Sequence, residues 1–403
     1  MSSGSEKPGT AYLPFREVLP GLLFLTFIFW LNFTSRAIIS PLLPYIESDL
    51  GITYGQSGSL FLFVSSGYFL SILGSSLVSS RITHSWAIAL STVITGLILC
   101  FAPLCSSISQ LRICLFCLGL GAGIYLPSGL ATIVHLVAPE YRARGMSIHE
   151  LAPNLGFVMA PLITVFLIQW FDWQQSLLVL GGFLMVGGVV FGVVHSAQKT
   201  YSVVPDIRAR WKVLKIGKFW LMVLLFSVAI CSTLGLYSLL PLYLHKDRGL
   251  ELELANNLVA ISRLSSVVMP LIGGWLGDRF GNERMTTLVL LAGGVFAILI
   301  GLTSGYVLYG VIVIQSMIAV CFFPSAFAVL TGIGGERLGG IAITLCIPIA
   351  FLTGGGLIPT IMGMIGDYYT LAHGFVFAGV LVCFGGFACL AFQLSATRAR
   401  AGV

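Results

Sequence analysis

Three ionisable side chains stand inside long apolar stretches of this 403-residue chain: Arg36, Glu150 and Arg263. A charge at the centre of a lipid bilayer costs roughly 2.5–3.5 kcal/mol on insertion scales, so each of them is expected to serve a function or a specific pairing. A guanidinium grips a carboxylate or another oxyanion through two parallel hydrogen bonds. A partly buried carboxyl can load and release a proton. These residue types therefore indicate an anion site and a proton-coupling group.

Arg36 and Arg263 are predicted to lie at similar depths. At about 1.5 Å per helical residue, Arg36 lies about 16 Å before Glu47, and Arg263 lies about 12 Å past Ala255. Both positions fall near the middle of a hydrocarbon core about 30 Å thick. We therefore expect two guanidinium groups on facing walls of a cavity, with a small organic anion passing between them. The alternative for each arginine is snorkelling to the interface or a structural pairing.

Glu150 is the candidate for proton coupling. The alternative is that it pairs with Arg142 or Arg144 at the end of its helix. His149 is a weaker candidate, because adjacent helical residues point about 100° apart and so do not share one target. Other polar residues in the apolar stretches could bind the substrate from the cavity wall or could form helix–helix hydrogen bonds instead: Asn32, Tyr68, Tyr125, Asn154, Tyr237 and Gln315.

Long helices must position these residues, because 57% of the chain is apolar, only 9% is charged, and the mean hydropathy is +0.99. A soluble domain carries about 25% charged residues, so a soluble enzyme, a nucleic-acid-binding protein and a disordered scaffold are excluded. A membrane-spanning helix needs about 20 apolar residues. Twelve stretches meet this length: 18–45, 54–79, 85–106, 110–137, 145–169, 175–196, 219–244, 255–277, 286–303, 306–331, 340–364 and 372–396.

A basic segment divides the chain into three predicted parts: an N-terminal six-helix bundle (1–196), a linker (197–218) and a C-terminal six-helix bundle (219–403). Basic residues collect in cytoplasmic loops, which predicts a linker, N-terminus and C-terminus on the cytoplasmic side of the inner membrane. With that orientation, most of the 21 basic residues are cytoplasmic: Lys7, Arg16, Arg81, Arg142, Arg144, Lys199, Arg208, Arg210, Lys212, Lys215, Lys218, Arg279, Arg284, Arg337, Arg398 and Arg400.

The loop after the eighth stretch carries a Gly-x-x-x-Asp-Arg-x-Gly-x-x-Arg run. The glycines permit close approach of two helix ends, and the aspartate can cap a helix or pair with an arginine, so the run is a candidate conformational latch. It resembles the signature loop of the major facilitator superfamily of secondary transporters. The corresponding loop after the second stretch, which ends at Arg81, lacks the aspartate. The predicted latch residues are Gly274, Asp278, Arg279, Gly281 and Arg284.

Further motifs extend the resemblance along the chain. Gly119 to Gly123 is similar to the glycine-rich fourth span of that superfamily, although Leu115 stands where the family has an arginine. The Gly156 to Pro161 segment is similar to an element of its exporters. The Asn-x-x-x-Arg pattern of Asn32 and Arg36 resembles the first span of its organic-anion transporters, whose arginine lies in the substrate cavity. The resemblance implies an all-α membrane protein, with two pseudo-symmetric six-helix bundles around a central cavity that opens alternately to each side.

The sequence thus predicts a proton-coupled secondary transporter of a small organic anion, with a carboxylate as the expected cargo. The rivals are a proton-driven exporter of drugs or metabolites, a transporter-like ligand sensor and a membrane enzyme. A sensor would need a signalling domain, and an enzyme would need a cluster of catalytic groups at one depth, which the sequence lacks. No catalytic residue, metal site or cofactor is predicted. The expected partners are a small anionic solute and the lipid bilayer, without nucleic acid, and the chain is expected to be a monomer.

Overall fold

The computed structural model describes residues 14–195, 207–333 and 336–401, and no strand occurs in these ranges. Eleven helical segments are long and apolar enough to cross a membrane. The bent pair Leu252–Val267 and Met269–Phe280, which meet at 43°, makes a twelfth span. Helices suit this chain because each backbone polar group is bonded within its own segment, as a lipid environment requires. The predicted all-α membrane fold is confirmed.

The first six spans contain nine α-helices, because several spans are broken near their middle. The helices are α1 Phe15–Ala37 and α2 Ile39–Leu50 in span 1, α3 Tyr54–Ser79 in span 2, α4 His84–Phe101 in span 3, α5 Ile108–Gly123 and α6 Tyr125–Leu136 in span 4, α7 Arg142–His149 and α8 Leu151–Leu167 in span 5, and α9 Trp173–Val194 in span 6.

The predicted linker lies partly outside the described residues, and its described part contains a short helix, α10 Ile207–Leu214. Ten further helices form the last six spans: α11 Gly217–Ile230 and α12 Leu236–Lys246 in span 7, α13 Leu252–Leu264 and α14 Met269–Phe280 in span 8, α15 Asn282–Leu302 in span 9, α16 Gly305–Val320 and α17 Phe322–Thr331 in span 10, α18 Glu336–Leu352 and α19 Ile358–Tyr368 in span 11, and α20 Leu371–Ala401 in span 12.

Spans 7 and 11 each contain one turn of π-helix, Cys231–Gly235 and Thr353–Leu357. The two wide turns pack against each other, and a Cβ on Gly235 would meet the carbonyl oxygen of Gly354 at 2.7 Å. A π-turn misaligns the helical hydrogen bonds and is frequent at functional sites. The glycines therefore let two irregular segments meet at the centre of the molecule.

The two ends of the bundle are named here by one residue each. The Glu47 end carries the loops that follow odd-numbered spans, and the Arg81 end carries the loops that follow even-numbered spans. The halves formed by spans 1–6 and spans 7–12 meet through α2 with α12, α3 with α18 and α19, and α8 with α13.

Polar contacts join the two halves at the Glu47 end. Lys246 Nζ lies 2.8 Å from a carboxylate oxygen of Glu47. Asp367 accepts hydrogen bonds from the hydroxyl of Thr53 at 2.8 Å and from the backbone N–H of Gly55 at 3.0 Å, so it caps the N-terminus of α3 from the opposite half. These bonds close the molecule at this end.

The Arg81 end is more open. The main contacts of α7 are with α1, α6 and α8, and those of α14 are with α15, α16 and α17, so each helix stays within its own half. Contact between the halves toward this end comes from α3 and α18. The arrangement is closed at the Glu47 end and opens toward the Arg81 end.

Candidate functional site

A central cavity lies where spans 1, 2, 7 and 11 meet. It measures about 40 Å³, which is room for about three water molecules. Spans 1 and 2 contribute residues spaced i, i+3, i+4 and i+7, the pattern of one helix face. The lining consists of Phe33, Arg36, Ala37 and Ser40 from span 1, Phe61, Val64, Ser65 and Tyr68 from span 2, Leu234, Tyr237 and Ser238 from span 7, and Phe351 and Gly355 from span 11.

Arg36 is the charged residue of this lining, and its side chain is half-buried. The guanidinium carbon lies 4.3 Å from the ring centroid of Tyr68 and 5.4 Å from that of Phe33. Its Nε has no hydrogen-bond partner among the described residues, and no described carboxylate forms an ion pair with it. The aromatic faces stabilise the cation, and one side-chain hydrogen bond joins the guanidinium to Tyr68. The donors that Tyr68 does not use remain for an oxyanion in the cavity.

Arg263 lies outside the lining and is only 1% exposed. Its Nη2 donates a hydrogen bond of 2.6 Å to the carbonyl oxygen of Thr233, in the π-turn of span 7. The guanidinium carbon is 5.1 Å from the ring centroids of both Phe157 and Tyr237. Its Nε is buried and has no partner among the described residues.

A layer of aromatic rings therefore separates the two arginines in this conformation. Phe157 packs edge-on against Phe33 at 4.9 Å and against Tyr237 at 4.8 Å, measured between ring centroids. Arg36 contacts the Phe33 side of this layer and Arg263 contacts the Phe157 side. The structure does not bring both guanidinium groups to the wall of one open cavity.

Glu150 lies at the junction of α7 and α8, and its side chain is exposed. It is nevertheless within electrostatic reach of the buried hydroxyls of Tyr68 and Tyr125. Glu150 thus combines an exposed side chain with electrostatic influence on buried groups of spans 2 and 4. It forms no ion pair with a described residue, so the alternative pairing with Arg142 or Arg144 is not observed.

The other predicted lining residues divide into two groups. Tyr68 and Tyr237 line the cavity. Asn32 donates to the hydroxyl of Ser91 at 3.1 Å, which turns it toward span 3. Asn154 donates to the backbone oxygen of Glu150 at 3.0 Å.

Tyr125 and Gln315 are also bonded away from the central cavity. The hydroxyl of Tyr125 donates to the backbone oxygen of Leu25 at 2.9 Å. The amide of Gln315 donates to the backbone oxygen of Ser232 at 2.8 Å, in the π-turn of span 7. Gln315 and Arg263 thus bond two successive carbonyl groups of that turn, Ser232 and Thr233.

The predicted latch lies at the Arg81 end, between α14 and α15. Gly281 has φ +96°, a backbone conformation that favours glycine, and it joins the two helices. Asp278 and Arg279 are exposed, and the guanidinium of Arg279 lies 5.5 Å from the ring of Trp275. Within the described part of the chain, no ion pair links these groups to the opposite half, in keeping with an open Arg81 end.

Several site residues were missed by sequence reasoning. The cavity wall includes Phe33, Phe61 and Phe351, which the sequence presents as ordinary apolar residues. Thr233 was missed because its backbone oxygen, not its side chain, receives Arg263. A usable signal was the repeated i, i+3, i+4, i+7 spacing that begins at Phe33 and at Phe61 and includes a polar residue each time.

Comparison with known proteins agrees with this architecture. The Major Facilitator Superfamily profile matches residues 25–346. The uncharacterized MFS-type transporter YfnC of Bacillus subtilis is 23% identical over 397 residues, covering 86% of this chain and 90% of that protein. The 4-hydroxybenzoate transporter PcaK of Pseudomonas aeruginosa is 26% identical over 322 residues, covering 70% of each chain.

Two further proteins are similar. The probable sulfoacetate transporter SauU of Cupriavidus necator is 23% identical over 305 residues, covering 67% of each chain. A solved bacterial homolog of the human lysosomal transporter Spinster, in an inward-facing and occupied conformation, superposes with a TM-score of 0.81 at 17% identity, covering 94% of this chain and 97% of that one. The matched profile spans most of the sequence, and these relatives are transporters rather than enzymes. The chain therefore belongs to the Major Facilitator Superfamily.

Proposed function

We propose that this protein is a secondary transporter that moves a small organic anion across the cytoplasmic membrane by alternating access, coupled to protons. The observation that carries the proposal is the guanidinium of Arg36, which lies in the central cavity without a bonded carboxylate. A cation held there by aromatic faces and by one side-chain hydrogen bond to Tyr68 keeps further donors for an oxyanion. The relatives named for 4-hydroxybenzoate and sulfoacetate carry anionic cargo, which supports the same chemistry here.

The cavity favours an aromatic carboxylate within this class. Phe33, Phe61, Tyr68, Tyr237 and Phe351 supply five aromatic side chains around one cation. Offset and edge-to-face packing with such rings stabilises an aromatic ligand by about 0.5–1.5 kcal/mol per contact. The present volume of about 40 Å³ is too small for a benzoate, so the rings must separate when the substrate enters.

Alternating access requires two units that rock against each other. We assign residues 1–196 and 219–403 to these units and residues 197–218 to the connection between them. The Arg81 end is placed on the cytoplasmic side, together with both termini, because of its basic loops. The Glu47 end then closes the path from outside through Glu47, Lys246 and Asp367.

Arg263 enters the binding cycle when the Glu47 end opens. Phe157 belongs to span 5 and covers Arg263 of span 8, so separation of α8 from α13 removes this ring. The freed guanidinium is then a second contact for the anion, alongside Arg36. In the same movement the Arg81 end closes. There Asp278 and Arg284 of the candidate latch can each pair with an oppositely charged side chain of the other half.

Glu150 is proposed as the group that exchanges protons with water. Its side chain is exposed in the cleft and lies within electrostatic reach of Tyr68, which stacks on Arg36. A carboxylate so placed repels an arriving anion, and its protonation removes that repulsion. Proton binding and anion binding therefore favour one another.

Transport into proteoliposomes tests the proposal. Radiolabelled benzoate, 4-hydroxybenzoate and acetate are supplied with and without an inward proton gradient. We expect gradient-stimulated uptake of the aromatic acids, its loss in Arg36→Ala, and normal uptake in Arg16→Ala, which removes an exposed arginine far from the cavity. Full uptake in Arg36→Ala would refute the anion site.

Proton-driven export is the second candidate direction, because the Gly156–Pro161 element is similar to one in exporters. Gly156 packs against Phe33, and a Cβ there would meet that ring at 2.6 Å, so the element lies beside the proposed site. Two arginines near the cavity disfavour cationic drugs but not anionic metabolites. Everted membrane vesicles distinguish the two directions. A proton antiporter that exports the acid accumulates it in these vesicles when their interior is acidic, whereas a proton symporter accumulates it when the outside is acidic.

A further inference from the structure

His149 is a fully buried histidine held in an aromatic and polar pocket. It is the last residue of α7 and is 0% exposed. Its ring is stacked on Phe29, with centroids 4.4 Å apart and planes inclined by 8°. Its Nε2 lies 3.2 Å from the hydroxyl oxygen of Tyr125. The residue lies immediately before the exposed Glu150.

The hydrogen bonds around Tyr125 determine which imidazole nitrogen carries the proton. The Tyr125 hydroxyl has a single hydrogen, and it donates this hydrogen to the carbonyl oxygen of Leu25 at 2.9 Å. The bond to His149 therefore has Nε2–H as donor and the tyrosine oxygen as acceptor. In the neutral ring, Nδ1 is then an unprotonated base. This nitrogen is buried and has no hydrogen-bond partner among the described residues.

The same helix face connects this base to the anion site. Phe29, Phe33 and Arg36 follow one another on α1 at i, i+4 and i+7, so they lie along one side of the helix. Phe29 contacts His149, and Phe33 and Arg36 line the central cavity. Seven helical residues span about 10 Å along the axis. His149 is therefore roughly two turns of span 1 from the guanidinium of Arg36.

We propose that His149 is the site that holds the co-transported proton, which Glu150 exchanges with water at the open cleft. The proposal rests on the proposed function and adds the storage site of the proton. The two groups are not hydrogen-bonded in this conformation, so the transfer takes place when movement of α7 and α8 brings them together. The proton then leaves the Glu150 oxygen and forms a bond to Nδ1 of His149, so the carboxylate is regenerated and the imidazole becomes an imidazolium. Tyr125 is a positioning residue that keeps Nδ1 as the accepting nitrogen. The charged ring remains stacked on Phe29.

Electrostatic attraction couples proton binding at His149 to anion binding at Arg36. An anion on Arg36 and an imidazolium about 10 Å away attract each other, which at an effective dielectric constant of about 20 corresponds to roughly tenfold tighter binding of each in the presence of the other. The titratable and charged groups on the elements packed against α7 are Arg16, Glu17 and Arg36 on α1, Tyr125 and His135 on α6, Glu140 and Tyr141 in the preceding turn, Glu150 at the start of α8, and Arg142 and Arg144 on α7 itself.

The test measures benzoate affinity of the purified protein by calorimetry between about pH 8 and about pH 4.5, so that protons are scarce at one limit and abundant at the other. Wild type is expected to bind roughly tenfold more tightly at the acidic limit. His149→Gln keeps an N–H donor for Tyr125 and is expected to lose most of the affinity change, with only the smaller part due to Glu150 left. Glu150→Gln is expected to retain most of the affinity change while proton uptake slows in stopped-flow dye measurements.

Two further variants complete the test. His135→Gln removes an exposed histidine on α6 and is the matched control, with the full affinity change expected. Tyr125→Phe keeps the aromatic ring, frees the tautomer and is expected to reduce the affinity change. It also provides a second readout if His149→Gln does not fold. An unreduced affinity change in His149→Gln or in Tyr125→Phe would overturn the proton site. Unchanged benzoate binding in Arg36→Ala would instead overturn the proposed function, so the two failures are distinguishable.

Discussion

Arg36 and Arg263 carry the same charge near the middle of the bundle, but their surroundings differ. Arg36 is half-buried, lines the central cavity and rests on the faces of Phe33 and Tyr68. Arg263 is almost wholly buried and donates to the backbone oxygen of Thr233. Neither has a carboxylate partner among the described residues. One cation is thus available to a ligand in this conformation and the other is covered.

The difference teaches that accessibility, more than charge or depth, distinguishes the two sites in a given conformation. Phe157 lies between them and is supplied by the half opposite to Arg263. In the proposed alternating access, movement of the two halves changes the exposure of Arg263 without requiring any change in its own helix. Removing each cation, and then the contacts that keep Arg263 covered, separates the effect of accessibility from that of charge.

The largest effect is expected from Arg36→Ala on anion binding. The substitution removes the only cation of the described lining, and losing one member of a hydrogen-bonded charge pair costs about 2 kcal/mol or more, which is about 30-fold in affinity. Arg36→Lys should recover part of the loss, because lysine keeps the charge but not the planar fork. Calorimetry with benzoate measures both. An affinity within a factor of two of wild type in Arg36→Ala would show that the accessible cation is not the binding group.

Arg263→Met is expected to abolish transport and yet to stabilise the folded protein. A buried cation without a carboxylate pays a desolvation cost, and an apolar side chain of similar volume relieves it by about 1–4 kcal/mol. The carbonyl of Thr233 then loses its donor, which costs about 1–3 kcal/mol. We expect a net gain of about 1 kcal/mol, seen as a higher unfolding temperature in detergent.

A structural role for Arg263 predicts the opposite pair of results. Unfolding at a lower temperature with transport intact would show that Arg263 serves to satisfy the π-turn of span 7. Arg36→Met is the matched comparison, because its half-exposed side chain should change the unfolding temperature little.

The number of spans and the positions of Arg36 and Arg263 deep within them were predictable from the sequence, whereas the exposure of the two arginines was not. Span length follows from helical rise and bilayer thickness, and a charge in an apolar run is visible at once. The rotation of each helix about its axis depends on the partners it packs against. Tyr68 and Tyr125 illustrate this, since both are tyrosines in spans, but one lines the cavity and the other bonds to Leu25.

The breaks inside spans were equally hard to predict. Gly354 to Gly356 are three consecutive glycines, which favour a flexible backbone, but the π-turn they adopt depends on its contact with the π-turn of span 7. The orphaned carbonyl groups of that turn explain why Gln315 and Arg263 point toward it. Such a pairing joins residues far apart in the chain, so local sequence patterns carry no sign of it.

Asp367→Ala is expected to expose Arg263 by loosening the Glu47 end. Loss of a helix cap costs about 1 kcal/mol, and here the cap joins the two halves. The state that is open at the Glu47 end should therefore become about fivefold more populated. The arginine reagent phenylglyoxal, followed by peptide mass spectrometry, reports the modification rate of each guanidinium. Arg263 should react about fivefold faster than in wild type, with Arg36 as the internal reference. Equal modification rates of Arg263 in Asp367→Ala and in wild type would show that the Asp367 cap does not keep Arg263 covered.

Lys246→Gln is expected to give the smallest change of the same kind. Its ammonium lies 2.8 Å from Glu47 across the two halves, but both side chains are partly exposed and such pairs contribute about 0.5 kcal/mol. The modification rate of Arg263 should rise about twofold, and the rise should shrink in high salt, because screening already weakens this pair in wild type. Lys218→Gln removes a similar ion pair with Glu283 at the Arg81 end, within one half, and should leave the rate unchanged. If both substitutions raised the rate equally, the covering of Arg263 would depend on overall stability instead of on closure at the Glu47 end.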